Sequence, residues 1–253
     1  MRLNLSYGAR LGANWCVPSL GASRSAMGRS DNSRSDVRHR ADHAVPSSSV
    51  NATLIGICGG SGSGKTRLAN DLAEQLGSDR VSVLPFDAYY KDLRHLSMEE
   101  RAQVNFDHPD SLDADLFASH LEGLADGLDV CVPVYDFNRH QRADDLTILP
   151  AKEIVIAEGI LLFAFPELVD RFDLRVFRRA PEDLRLARRM DRDVQERGRS
   201  PESVTAQFNE SVAPMHDEFV EPSAACAHRV VEHTEELSTV VAELADSITT
   251  VRV

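Results

Sequence analysis

Thr53-Leu54-Ile55-Gly56-Ile57-Cys58-Gly59-Gly60-Ser61-Gly62-Ser63-Gly64-Lys65-Thr66 is the stretch on which the fold turns. Its first six residues form a short apolar run that stops at glycines, as a strand buried inside a parallel sheet does. Gly59 to Thr66 then fits the pattern G-x-x-x-x-G-K-[ST]. From Arg67 to Leu76, the spacing of Leu68, Leu72 and Leu76 predicts a helix, with Gly77 as its stop. Glycines at 59, 60, 62 and 64, with Ser61 and Ser63 between them, let the backbone curl so that successive N–H groups face a polyphosphate. The helix that follows adds unpaired N–H groups and a positive dipole end. Lys65 can reach the β- and γ-phosphates as a point charge, and the Thr66 hydroxyl is a ligand suited to Mg²⁺. A nucleoside triphosphate is the expected ligand. The reaction is not fixed by this loop, which switches, motors and small-molecule kinases share.

Further along, Arg80–Leu84, Val130–Tyr135, Glu153–Ala157 and Leu174–Phe177 are predicted strands. Leu112–Leu124 and Pro181–Glu196 are predicted helices, the second opened by proline. Strands alternating with helices predict an α/β fold: a parallel sheet of the P-loop NTPase type flanked by helices. The longest apolar stretch, Ile154 to Phe165, is broken by Glu158 and Gly159 and is too short to cross a bilayer.

At 253 residues the chain has room for one domain of about 200 residues plus extras. Its 42% hydrophobic and 27% charged content excludes a wholly disordered chain. Residues 1–50 carry seven arginines against three aspartates, a net of +4, together with ten serines and no apolar periodicity. They are expected to lie outside the domain, as a disordered tail, a transit peptide or a stretch before the true start. Residues 51–253 are expected to be the folded unit. Residues 51 onward carry 21 basic against 37 acidic side chains, a net of −16. So acidic a body would repel a nucleic acid polymer, and a phosphate site must be made locally by a few cations. Three lysines against 25 arginines suggest a GC-rich bacterial source and, with it, a cytoplasmic protein. The four cysteines lie far apart with no CxxC pair, so neither a zinc site nor a disulfide framework is expected.

Two carboxylates stand where chemistry is done in such a sheet. Asp87 follows the second strand, at the edge where ligands bind, and could take a proton from an attacking hydroxyl. Glu158 closes the apolar strand Ile154–Ala157, where burial is costly without a compensating cation, and Mg²⁺ is the obvious one. Arg185, Arg188, Arg189 and Arg192 recur at i, i+3, i+4 and i+7, a basic stripe that runs into Glu196-Arg197-Gly198-Arg199. A solvated face is the plain expectation for such a stripe. In a phosphotransferase it would serve as a lid over residues 181–200 that brings guanidinium forks to the transferring group.

Six ordered motifs give this chain a resemblance to the uridine kinases (uridine–cytidine kinases). They are Gly59–Thr66, Phe86-Asp87-Ala88-Tyr89-Tyr90, Asn105-Phe106-Asp107-His108-Pro109-Asp110, Val132–Phe137 with His140, Glu158-Gly159-Ile160-Leu161, and Arg192-Asp193 with Glu196–Arg199. Pro214-Met215-His216 and Phe219–Pro222 extend the likeness, which covers roughly residues 52–232. It implies transfer of the γ-phosphate of ATP or GTP, with Mg²⁺, to the 5′-hydroxyl of uridine or cytidine. It also implies a helical lid, a small nucleoside-binding excursion around residues 105–145, and a homo-oligomer, as a tetramer. By this likeness Asp87 is the general base, Lys65 and Arg192 are catalytic, and Thr66 and Glu158 hold the metal. Arg197 joins the phosphate contacts. Tyr90 walls the nucleoside pocket, Asp107 takes the ribose hydroxyls, and Tyr135 and His140 read the pyrimidine edge, with Phe106 and Phe137 about the ring. Arg189, Arg199 and Gln207 also touch the nucleoside. The chain departs from the family at Arg178-Arg179, where an acidic residue is usual, and at His228, where Asp is common. Both are expected on the side of the donor base. A phosphoribulokinase-like or pantothenate-kinase-like enzyme and a non-catalytic nucleotide-sensing regulator are the alternatives.

Overall fold

A computed structural model of the chain describes residues 51–250. The expectations for residues 1–50 lie outside the described residues. Among the described residues there are seven strands: β1 Thr53–Cys58, β2 Val81–Pro85, β3 Val130–Asp136, β4 Gln141–Leu149, β5 Ile154–Gly159, β6 Leu174–Arg179 and β7 Arg229–Glu232. Five of them form one sheet in the order β2-β5-β1-β6-β7, every pairing parallel. A parallel sheet covered on both faces needs apolar side chains on both, and β5 is buried at all six positions.

Alternation along β1 divides the core. Ile55 and Ile57 pack with Leu68 and Leu72 of the helix Lys65–Leu76 and with Val240 and Leu244 of the helix Leu237–Thr250. Leu54 packs on the opposite face, with Val155, Phe86, Phe117 and Phe163. Gly56 is a glycine because of that second face: a Cβ there would come 2.8 Å from the Phe163 ring.

The expected strands are present, with two corrections. Val130–Tyr135 does not join the parallel sheet. It is part of β3, which pairs antiparallel with β4 to make a separate two-stranded sheet. β4 itself carries no strand signal, because most of it, including Asp144 and Asp145, is solvent-exposed. The helix expected from Leu112 spans Ala114–Ala125, since the Asp113 side chain accepts from Leu116 N and caps it there. The arginine-rich helix spans Glu182–Arg197, with Pro181 at its N-cap, and ends on Gly198 in the left-handed region at φ 62°. The chain after it, from Pro201 to Cys226, is almost wholly helical and contains two π-helical turns, Phe208–Val212 and His216–Val220. Cys58 and Cys226 are free thiols. No helix among the described residues is long and apolar enough to cross a membrane.

Candidate active site

The loop Gly59–Gly64 leaves the carboxyl end of β1 and is wedged between β6 and the arginine helix. A Cβ on Gly59 would sit 2.3 Å from Arg178 O, and one on Gly62 would sit 2.3 Å from Arg185 O. Gly62 also has φ 79°, a conformation open to glycine at no steric cost. The loop's shape is therefore set by main chain packed on main chain. Lys65 opens the following helix and is only 5% exposed.

Glu158 lies at the same sheet edge, registered between Ile57 of β1 and Pro85 of β2. Its Oε1 accepts from Thr66 Oγ1 at 3.2 Å, and Lys65 Nζ stands 3.9 Å from its Oε2. Burial pushes this carboxyl up from its usual range and nearby Asp87 adds to the push, while the Lys65 cation opposes both. Glu158 Oε2 and Ser63 Oγ are buried with no hydrogen-bond partner. A buried acid with a spare oxygen, bonded to a hydroxyl and facing a phosphate loop, fits Mg²⁺, which favours few protein ligands plus phosphate oxygens and water. Among the described residues no group of three or more His, Cys, Asp or Glu could hold a metal without such help.

Asp87 sits in the 3₁₀ turn Phe86–Tyr89 directly after β2. The turn is anchored by Phe86, fully buried against Phe117 at 4.4 Å between ring centroids. Gly159 allows the close approach, since a Cβ there would meet Phe86 Cβ at 2.6 Å. The glycine that follows Glu158 thus seats the turn carrying Asp87.

One cavity is lined by Ser61, Lys65 and Asp87 and also by Tyr90, Asp107, Tyr135 and His140. Every residue expected to touch the nucleoside lines it, including Arg189, Arg199 and Gln207. Tyr90 and Tyr135 pack at 5.1 Å, Phe106 meets Tyr90 edge-on, and Phe106 stacks on His140 at 4.7 Å with planes 15° apart. The Tyr135 hydroxyl is buried and has no protein partner, leaving it open to a ligand. Asp107, 7% exposed, accepts from Ser211 Oγ at 2.8 Å. Burial pushes its carboxyl up, opposed by the Arg189 guanidinium. His140 has φ 50°, unusual for a side-chain-bearing residue. Buried Arg101 fixes it from both sides, donating to Arg139 O at 3.2 Å and to Gln141 Oε1 at 2.7 Å. Burial, then the nearby Arg199 and Arg197, depress the His140 imidazolium, so the ring is neutral near pH 7.

The arginine stripe does not act as one face. Arg189 and Arg192 line the cavity, whereas Arg185 is buried over the Phe208 ring and Arg188 bonds Gly62 O and Ser63 O from outside. Arg197, expected on phosphate, lies 4.6 Å over the Phe137 ring. Arg189, expected on the nucleoside, also donates to Ser61 Oγ of the loop at 2.9 Å. Of the two departures, Arg178 adjoins the phosphate loop, but His228 does not. It pairs with Arg175 at the amino end of β6, on the sheet edge away from the loop.

Ser211, Arg101 and Asp193 were not anticipated. Ser211 lies 104 residues from Asp107, and Arg101 lies 40 from Gln141, so no local pattern announces either. Asp193 did carry a signal: Arg189 and Arg197 stand four residues to either side of it.

A family model described as "Phosphoribulokinase / Uridine kinase family" matches residues 54–240. A protein named uridine kinase from Clostridium perfringens is 44% identical over 178 residues, 70% of this chain and 86% of that one. Its counterpart from Chloroflexus aurantiacus is 46% identical over 170 residues, 67% of this chain and 81% of the other. Among solved structures, D-glycerate 3-kinase from Cryptococcus neoformans var. grubii superposes with a TM-score of 0.53 at 17% identity, covering 74% of this chain and 88% of that one, a likeness of fold. A phosphate loop at the end of β1, an acid at the end of β5 and this identity over most of both lengths converge: the chain belongs to the phosphoribulokinase/uridine kinase family.

Proposed function

We propose that this chain is a nucleoside kinase transferring the γ-phosphoryl group of ATP or GTP to the 5′-hydroxyl of uridine or cytidine. The observation that carries the reading is the single cavity shared by Lys65, Asp87, Asp107, Tyr135 and His140. Donor loop, base and acceptor groups face one shared space. Asp107 takes the ribose hydroxyls, since a carboxylate accepts well from two adjacent donors. Tyr135 and neutral His140 meet the pyrimidine edge while Phe106 and Phe137 pack about the ring.

Asp87 accepts the hydrogen bond of the 5′-hydroxyl and takes its proton as that oxygen bonds to the γ-phosphorus. The bond from the γ-phosphorus to the bridging oxygen breaks, and its electron pair leaves with the nucleoside diphosphate. Lys65 and Arg192 spread the charge of the transferring group, and Arg197 reinforces them. Thr66 and Glu158 would hold Mg²⁺, which when bound neutralises phosphate oxygens. Most of the acceleration then comes from placement and electrostatics. Residues 51–253 act as one kinase domain with 181–200 as its lid, in the cytoplasm, and the assembly is a homotetramer by likeness.

A nucleoside panel in a coupled assay of diphosphate release tests this. Turnover with uridine or cytidine is the expected result. Turnover with a sugar phosphate alone, or donor binding with no turnover at all, would overturn it.

A further inference from the structure

Four guanidinium groups converge on one acid in this molecule. Asp193 is fully buried, at 0% exposure, on the inner side of the arginine helix. Its Oδ1 accepts from Arg192 Nε at 2.9 Å, with Arg192 Nη2 at 2.9 Å and Arg197 Nη1 at 3.3 Å. Its Oδ2 has Arg189 Nε and Arg199 Nη1, each at 3.5 Å. The carboxylate thus sorts the arginines into pairs, 192 with 197 and 189 with 199. The second pair shares another acceptor: Arg189 and Arg199 both donate to Gln207 Oε1, at 2.9 and 2.6 Å. Arg189 also reaches Ser61 of the phosphate loop. The backbone of Asp193 adds to this, because its carbonyl accepts from Gly198 N and from Arg199 N, turning Arg199 back towards the cavity.

We propose that Asp193 is the positioning residue of the transfer step: it holds four arginines in register between the phosphate loop and the acceptor pocket. The inference rests on the kinase reading above. Four cations around one acid leave three positive charges in excess, and without the acid they repel one another. Arg192 donates to the carboxylate, while Oδ2 is buried with no hydrogen-bond partner, so Arg189, Arg197 and Arg199 are gathered by charge at 3.3 to 3.5 Å. Asp193 does not line the cavity, so it acts only through the guanidiniums it aligns.

Losing only the charge gives a signature that general damage does not. Asp193→Asn keeps the shape but adds one net positive charge beside the phosphates. Donor affinity should hold or tighten, while kcat falls about 100-fold because the guanidiniums are misplaced. The experiment titrates ATP calorimetrically into the full-length variant without acceptor, then measures kcat and nucleoside KM at saturating ATP, with wild-type protein alongside. Asp193→Glu, which restores the charge one methylene away, should recover at least about tenfold of the lost kcat. A kcat within threefold of wild type, or ATP affinity falling in step with kcat, overturns the proposal. Should Asp193→Asn fail to fold, Asp193→Glu decides alone: kcat must fall with ATP affinity unchanged, and wild-type kcat overturns the proposal. Wild-type protein that phosphorylates no nucleoside in the same assay would sink the kinase reading instead, so the two failures are distinct.

Discussion

The two sides of the cavity are made of different materials. On the side proposed for the donor, Gly59–Gly64 is pressed between Arg178 O and Arg185 O, and the groups it would offer an anion are main-chain N–H held by a covered parallel sheet. On the side proposed for the acceptor, Asp107, Tyr135 and His140 come from loops and from the separate β3–β4 hairpin, with Asp107 held by Ser211 and His140 by strained backbone. A site built from backbone is as rigid as the core beneath it. A site built from side chains depends on long-range partners, each removable by one substitution. Damage on the donor side should therefore spread to folding, while damage on the acceptor side should stay confined to nucleoside affinity.

The largest effect is expected where the two sides meet. Asp87→Asn should lower kcat about 1,000-fold with nucleoside KM within threefold, read by steady-state kinetics. A similar loss in KM would mean that Asp87 belongs to acceptor binding. Next comes Gly62→Ala, whose methyl would collide with Arg185 O in a backbone conformation that alanine resists. It should cost about 3 kcal/mol of stability in chemical unfolding as well as donor affinity. Intact stability with weakened donor binding would show the loop to be less tied to the core than its packing says.

Asp107→Asn should raise nucleoside KM about 30-fold, with the unfolding midpoint and ATP affinity little changed. A large fall in stability there would erase the contrast between the sides. The mildest expected change follows Arg101→Gln, which frees the backbone around His140. Nucleoside KM should rise about fivefold at constant kcat, and an unchanged KM would show that the φ 50° conformation of His140 persists without Arg101.

The same contrast explains what could be read from the amino acids. Thr53–Leu76 carries its own pattern, apolar run, glycines, lysine, helical leucines, because strand, loop and helix are neighbours in sequence. Glu158 was legible as an acid stranded in an apolar strand. Tyr135 and His140 gained meaning only through resemblance, since a lone Tyr or His looks like any packed residue. β4 was invisible because its exposed residues show no apolar alternation, and with it went the antiparallel pairing of Val130–Asp136. Ser211 and Arg101 act across the fold, which no local spacing encodes.

The hairpin meets the Asp87 turn twice over: Arg142 donates to Tyr90 O at 2.8 Å and to Tyr89 O at 3.3 Å and pairs with Asp113 at 3.0 Å, and Val130, Val132 and Tyr135 are buried with Phe86, Tyr89 and Tyr90. Its base is thus part of the core, and only the tip that reaches the cavity can be re-tailored without rebuilding the engine it serves. Exchanging residues 137–140, which bring Phe137 and His140 to the cavity, offers a route to phosphorylating unnatural nucleosides, with the triphosphate machinery left as it stands.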